Sequence, residues 1–204
     1  KDPMSNFATK IGRFNAEFGF QSFPEFSTLL MFAHESQWAL DSAVMKHHQK
    51  SYVGNGMILK HAKLMFGHPK TFREFVYYSQ LTQAEAVGMA VTGHRLDAPR
   101  CMGTLYWQLN DCWPAPTWSS IDHYWNKKAL HYRITEDYKD VAVVSAVNTE
   151  DYEAYHLIND SPEKFTCVVQ MKVTDLTGKM LCEKQFTEEF NGPKNILLST
   201  PCFT

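Results

Sequence analysis

One carboxylate stands in an aromatic run: Glu17 in RFNAEFGF, with Phe14, Phe18 and Phe20 around it. A carboxylate in apolar surroundings costs free energy unless it is paired or does chemistry. A second concentration of reactive groups lies far downstream in GTLYWQLNDCWP, residues 103–114. There Trp107 and Trp113 stand with Asn110 and Asp111, and Trp118 and Asp122 follow. Aromatic faces beside amide and carboxylate groups suit a sugar, which offers C–H faces and a ring of hydroxyls. Each cluster also has a plain structural reading. Glu17 can be a strand-edge glutamate facing solvent, and the tryptophans can be a core under a loop. Residue types alone leave both readings open.

Other chemistries find little support. His34–Glu35 opens like the zinc-protease HExxH pattern, but Trp38 stands where the second histidine belongs. His47, His48 and His61 read as ordinary surface or core histidines. The chain has no GxSxG elbow, no phosphate-cradling glycine loop and no basic-aromatic stripe. The reading is therefore of a site with no metal and no cofactor.

Both clusters need strands to present them. Residues 13–20 read as a short strand, and residues 103–108 as another, where β-formers alternate and Gly103 permits close backbone approach. Between them the pattern is helical. Ser22 and Glu25, with Pro24 between, form a capping box that predicts a helix from about residue 23, with Phe26, Leu29, Leu30 and Phe32 on its apolar side. A short helix follows Asp41, Gly54–Asn55–Gly56 makes a turn, and residues 57–66 are again helical. Thr71 and Glu74 cap the longest helical pattern, residues 72–95. A long helical link between two strands belongs to a parallel crossover. In parallel α/β architectures ligands sit at the C-terminal strand ends. The sequence thus predicts that the two clusters are two strand ends of one site. Residues 125–138 read as a following helix.

The grammar changes near Val141. AVVSAV reads as a buried strand. From Phe165 the alternation is clear, with Phe165, Cys167, Val169, Met171 and Val173 on one face. DLTGK turns at Gly178 and residues 180–186 return. Short strands without helices suggest a β-sandwich, so the fold class is α/β plus all-β, with domains over residues 1–138 and 139–204. A formal charge of -2 gives no reason to expect nucleic acid or an acidic membrane as partner, and no apolar run approaches a membrane span. The five cysteines lack CxxC spacing, which argues against zinc and a disulfide framework and for buried free thiols. Cys167 and Cys182 flank the hairpin and are a candidate pair.

Taken together, the strand ends resemble a known family. FNAEFGFQSFPE is similar to the nucleophile segment of the β-mannosidases of glycoside hydrolase family 2, and GTLYWQLNDCWPAPTWSSIDHYWNKKALHY to their last barrel strand and following helix. YHLINDSPEKF and LTGKMLCEKQF resemble the immunoglobulin-like domain after the barrel. The resemblance implies the last two βα units of a (β/α)8 TIM barrel followed by an immunoglobulin-like β-sandwich that is cut short or reduced. It implies a retaining exo-hydrolase of terminal β-mannosyl residues in oligosaccharides or glycans. Glu17 would be the nucleophile, with Trp107, and more weakly Asn110, Asp111 and Trp113, shaping the sugar pocket. The family's acid/base is a glutamate after an asparagine, several strands before the nucleophile, and this chain contains no such segment. The N-terminal remainder of the same enzyme would supply it. Such enzymes occur in lysosomes, in periplasms and outside cells. An exo-β-glucosaminidase of the same family and a non-catalytic sugar-binding module are the alternatives.

Overall fold

A computed structural model of the chain describes residues 6–147 and 153–198. The chain divides into two compact units, Lys1–Tyr138 and Lys139–Thr204.

The first unit is built on β1 (Asn15–Phe18) and β2 (Thr104–Tyr106), which pair in parallel. Among the described residues this sheet has two strands. The crossover between them ends in α5 (Phe72–Leu96), and α6 (Ala129–Asp137) follows β2. Phe18, Phe20 and Tyr106 pack against Val87, Val91, Leu130 and Ile134 of these two helices. A short α1 (Asn6–Thr9) lies against α5, where Gly93 lets its backbone approach; a Cβ there would stand 2.6 Å from the Ala8 carbonyl oxygen. The segment between β1 and α5 holds α2 (Phe26–Leu30), a 3-10 turn (Glu35–Gln37), α3 (Ala43–His48) and α4 (Asn55–Phe66). It has its own core of Phe23, Leu29, Met45, Ile58, Phe75 and Val76.

Local expectations hold where a cap is free to form. The Thr71 hydroxyl accepts from the Glu74 amide at 3.0 Å and starts α5. They fail where tertiary pairing takes the residue away. Ser22 does not cap α2: its backbone bridges Thr117 and its hydroxyl donates to Gln83 at 2.7 Å. The helix starts later, with Glu25 at the N-cap and no side-chain cap bond. The predicted helix over residues 125–138 also starts late. Asp122 accepts from the amides of Tyr124 and Asn126, both at 3.0 Å, which closes a turn. Trp125 sits in that turn at φ 66°, so α6 begins only after Lys128.

The second unit is all β. β3 (Val141–Val147), β4 (Glu153–Asn159) and β7 (Lys194–Leu198) form one antiparallel sheet, and β5 (Lys164–Thr174) and β6 (Met180–Asn191) another. Their inner faces share Leu157, Val169, Phe190 and Leu198. β5 alternates as the sequence predicts, and Gly178 turns the hairpin at φ 88°. β3 departs from expectation: Val144 is buried but Val143 is exposed, so this strand covers the core with one face only. The cysteine expectations also need correcting. Cys167 stands opposite Glu188 and Cys182 opposite Val173, so the register keeps them apart. Cys167 is a free, half-buried thiol, Cys112 is free and exposed, and Cys101 is free and buried. Cys182 is disulfide-bonded, contrary to the expectation of free thiols. Cys202 lies outside the described residues.

Candidate active site

Because β1 and β2 run the same way, the segments that follow them leave the sheet at one end. Side chains alternate across each strand. Phe18 and Tyr106 point into the helical core. Their neighbours Glu17, Leu105 and Trp107 are all exposed, Trp107 by 49%, although the register of β1 is irregular between Asn15 and Phe18. The sequence clusters thus meet at one sheet end. Gly19 makes the approach possible: a Cβ on it would lie 2.1 Å from the Trp107 carbonyl oxygen. The Trp107–Gln108 peptide bond is cis.

The loop after β2 is held from within. Asp111 accepts from Gln108 Nε2 at 3.1 Å through one oxygen. Through the other it accepts from Thr117 Oγ1 at 2.7 Å and Ser119 Oγ at 2.6 Å. Asn110 is exposed, and its carbonyl accepts from Gln108 Nε2 at 2.8 Å. Trp113 lies face to face with His48, ring centroids 4.5 Å apart, and His48 stacks in turn on Phe32 at 3.8 Å. The Nδ1–H of His48 donates to the Pro114 carbonyl at 2.6 Å, and the Lys50 ammonium lies 4.6 Å from the centre of the Trp113 ring. Burial lowers the His48 pKa, with the nearby charges of His47 and Lys50 adding to it against the Pro114 bond.

Beneath the two strand ends lies a polar hub. Gln83 of α5 donates to the carbonyls of Phe20 (2.8 Å), Ser119 (3.2 Å) and Thr117 (3.4 Å), tying the segment after β1 to the loop after β2. Lys128 is 0% exposed. Its ammonium reaches the Thr117 carbonyl at 3.3 Å and Ser119 Oγ at 3.5 Å. Burial lowers its pKa to about 8, against the attraction of Asp111, Asp122 and Glu25. Asp122 is buried as well, and accepts from Thr28 Oγ1 at 2.6 Å. Gln80 Oε1 accepts from the Ala129 amide at 3.1 Å, which satisfies the otherwise uncapped start of α6.

Gln83, Ser119 and Lys128 escaped sequence reasoning as hub residues, and Ser22 reads there as a helix cap instead. Gln80 and Gln83 did leave a signal: they recur at helical spacing with Ala84 and Val87 on the buried side of α5. Lys128 left none: it reads as part of the helix predicted over residues 125–138, with nothing to mark it as buried. Among the described residues no group of three or more His, Cys, Asp or Glu side chains is placed to hold a metal ion. No helix among them is long and apolar enough to cross a membrane.

No family model matches the chain. Curated relatives do. A β-mannosidase of Capra hircus is 30% identical over 207 aligned positions, which cover 93% of this chain and 23% of that protein. A β-mannosidase of Bos taurus is 36% identical over 133 positions, 59% of this chain and 15% of that protein. Among solved structures, the β-D-mannosidase of Dictyoglomus thermophilum superposes with a TM-score of 0.84 at 26% identity, over 97% of this chain and 24% of that one. The exo-chitosanase of Amycolatopsis orientalis superposes with a TM-score of 0.74 at 18% identity, over 92% of this chain and 24% of that one, a likeness of fold. The chain spans about a quarter or less of the length of these proteins. Sequence and fold together make it a relative of the β-mannosidases, similar to one part of those longer proteins.

Proposed function

We propose that the chain is the part of a retaining exo-β-mannosidase that carries the catalytic nucleophile, Glu17. In this reading residues 1–138 are the last two βα units of a (β/α)8 barrel, and residues 139–204 are an immunoglobulin-like domain. The observation that carries it is the parallel pairing of β1 and β2, which sets the exposed Glu17 and Trp107 at neighbouring strand ends, the Trp107 amide donating to the Phe18 carbonyl at 2.7 Å. The likeness to β-mannosidases supports the substrate class, a terminal β-mannoside of an oligosaccharide or glycan.

The chemistry follows from the groups. The Glu17 carboxylate attacks the anomeric carbon as a second carboxyl, about 5 to 5.5 Å away, protonates the departing oxygen. The glycosyl-enzyme ester is then hydrolysed by water that the second carboxylate deprotonates, with net retention. That second group comes from the N-terminal remainder of the enzyme, whose strands also cover the open sheet edges. Trp107 offers its indole face to the sugar's C–H face, and Asn110 an amide to its hydroxyls. Asp111 has both oxygens engaged within the loop, so its part is to hold Gln108 beside Trp107. Trp113 is stacked on His48 and braces the rim.

The test uses the full-length protein. It should turn over an aryl β-mannoside and leave the matching β-glucosaminide largely untouched. The reverse preference would favour the glucosaminidase reading. Glu17→Gln should cut mannoside turnover by roughly 10⁴-fold or more, the scale on which removing a nucleophile acts. Near-normal turnover in that variant removes Glu17 from its role. The isolated 204-residue chain should show no useful turnover, because it lacks the acid/base.

A further inference from the structure

We propose that Lys128 is a positioning residue for the sugar site, holding the loop that carries Trp107 against the Glu17 strand end through Ser119 and Asp111. The proposal rests on the functional reading above and extends it to a residue that no sugar touches.

A buried lysine needs a reason. An aliphatic side chain would fill the same space without removing an ammonium group from water. Lys128 is completely buried, and its ammonium is aimed at two groups of one loop, the Thr117 carbonyl and the Ser119 hydroxyl. The single proton of Ser119 goes to Asp111, so its oxygen is left to accept from Lys128. Thr117 sends its own hydroxyl proton to the same Asp111 oxygen. The other Asp111 oxygen holds Gln108, the residue next to Trp107. Four side chains thus run from the lysine to the neighbour of the proposed sugar platform.

The second anchor of that loop comes from α5. Gln83 donates to the Thr117 and Ser119 carbonyls and to the Phe20 carbonyl, three residues beyond Glu17. Lys128 and Gln83 therefore grip the same two residues from different helical segments. The charge matters as well as the shape. Glu25, Asp111 and Asp122 are the carboxylates whose attraction acts on the ammonium. Without it, Asp111 keeps neutral donors only, and a half-buried carboxylate so held gains by turning to water and releasing Gln108.

The experiment compares the full-length protein with Lys128→Met, which keeps an unbranched apolar stem one atom shorter and removes the ammonium group. Active sites are titrated with a mechanism-based 2-fluoro-mannosyl fluoride, and KM and kcat per titrated site are read with 4-nitrophenyl β-D-mannoside. The proposal expects KM to rise about tenfold, short of the roughly 100-fold that a 1 Å misplacement costs at the reacting atoms. A lower number of titratable sites, each with wild-type KM and kcat, means a merely structural lysine and overturns the proposal. Where Lys128→Met does not fold, Asp111→Asn and the double variant carry the test. Asp111→Asn should raise KM by a similar factor. The double variant should fold and do no worse than Asp111→Asn, because the two act through one chain of bonds. A KM in the double variant well above that of Asp111→Asn overturns the proposal, as does failure of the double variant to fold. A wild-type protein that neither turns over the mannoside nor takes the label overturns the functional reading itself, and this proposal with it.

Discussion

Beside its apolar cores, the first unit buries a cluster of polar groups, whereas the core between the sheets of the second is apolar. Beneath the strand ends of the first lie Ser22, Gln83, Ser119 and Lys128, all fully enclosed. Between the sheets of the second lie Leu157, Val169, Phe190 and Leu198. Apolar contact is non-directional, and a core built from it asks mainly for volume and pattern. Hydrogen bonds are directional, and a buried polar group left unmade is costly, so a hub of them fixes particular backbone atoms in place. The exception among the described residues of the second unit supports this reading. Its buried Asn159 donates to the carbonyls of Ser161 (3.1 Å) and Gly192 (2.9 Å), so it too ties loops together. Polar burial marks the places where a loop has to stand still.

This contrast can be broken by substitutions that separate stability from site geometry. The largest effect is expected in the apolar unit. Phe190 is almost fully buried and stacks on Phe165 with ring centroids 5.0 Å apart. Phe190→Ala in the full-length protein should cost about 3–5 kcal/mol of that unit's unfolding free energy. It should leave KM and kcat per titrated site unchanged well below the transition. Calorimetry with steady-state kinetics checks both, and an altered KM would mean that the second unit helps shape the site.

Next comes the hub. Lys128 titrates at about 8 in the fold and at 10.5 when free of it. The unfolded chain therefore binds the extra proton between these values, and stability rises with pH across that window. The cost of burying the charge is fully present below pH 8 and is relieved as pH approaches 10.5. Relative to Lys128→Met, the wild-type protein should gain up to about 3 kcal/mol between these limits. Denaturant unfolding of both proteins at several pH values measures it, and a pH-independent difference would place the ammonium in contact with water.

The smallest effects concern the glycines at the two strands. A methyl group at Gly19 meets the backbone oxygen of Trp107, which cannot move without the strand end. Gly19→Ala should therefore cost about 1–3 kcal/mol and raise KM. A methyl group at Gly103 meets the ring of Phe14, which is 58% exposed and free to swing outward. Gly103→Ala should stay within about 0.5 kcal/mol of wild type. Equal costs at the two positions would count against the close approach of the strand ends.

How much of this could be read in the sequence follows the same division. Alternation in β5, the Thr71 cap and the apolar stripe of α5 are short-range signals, and each matches its element. The parallel pairing of the strands that carry Glu17 and lead to Trp107 was legible because a long helical crossover implies it. What escaped was non-local. Ser22 has the residue type of a cap, but Thr117 and Gln83 claim its backbone and hydroxyl. Lys128 looks like a surface residue until the loop over residues 108–121 folds around it. The Cys167–Cys182 pairing failed because the hairpin register, which spacing alone does not fix, sets Cys182 opposite Val173.

The central claim is that Glu17 attacks the sugar. Its most direct test is to inactivate the full-length protein with the 2-fluoro-mannosyl fluoride, digest it and locate the added sugar by mass spectrometry. The account expects a single covalent sugar, on the peptide containing Glu17 and on that carboxylate. A sugar trapped on any other carboxylate, with Glu17 unmodified, would contradict it.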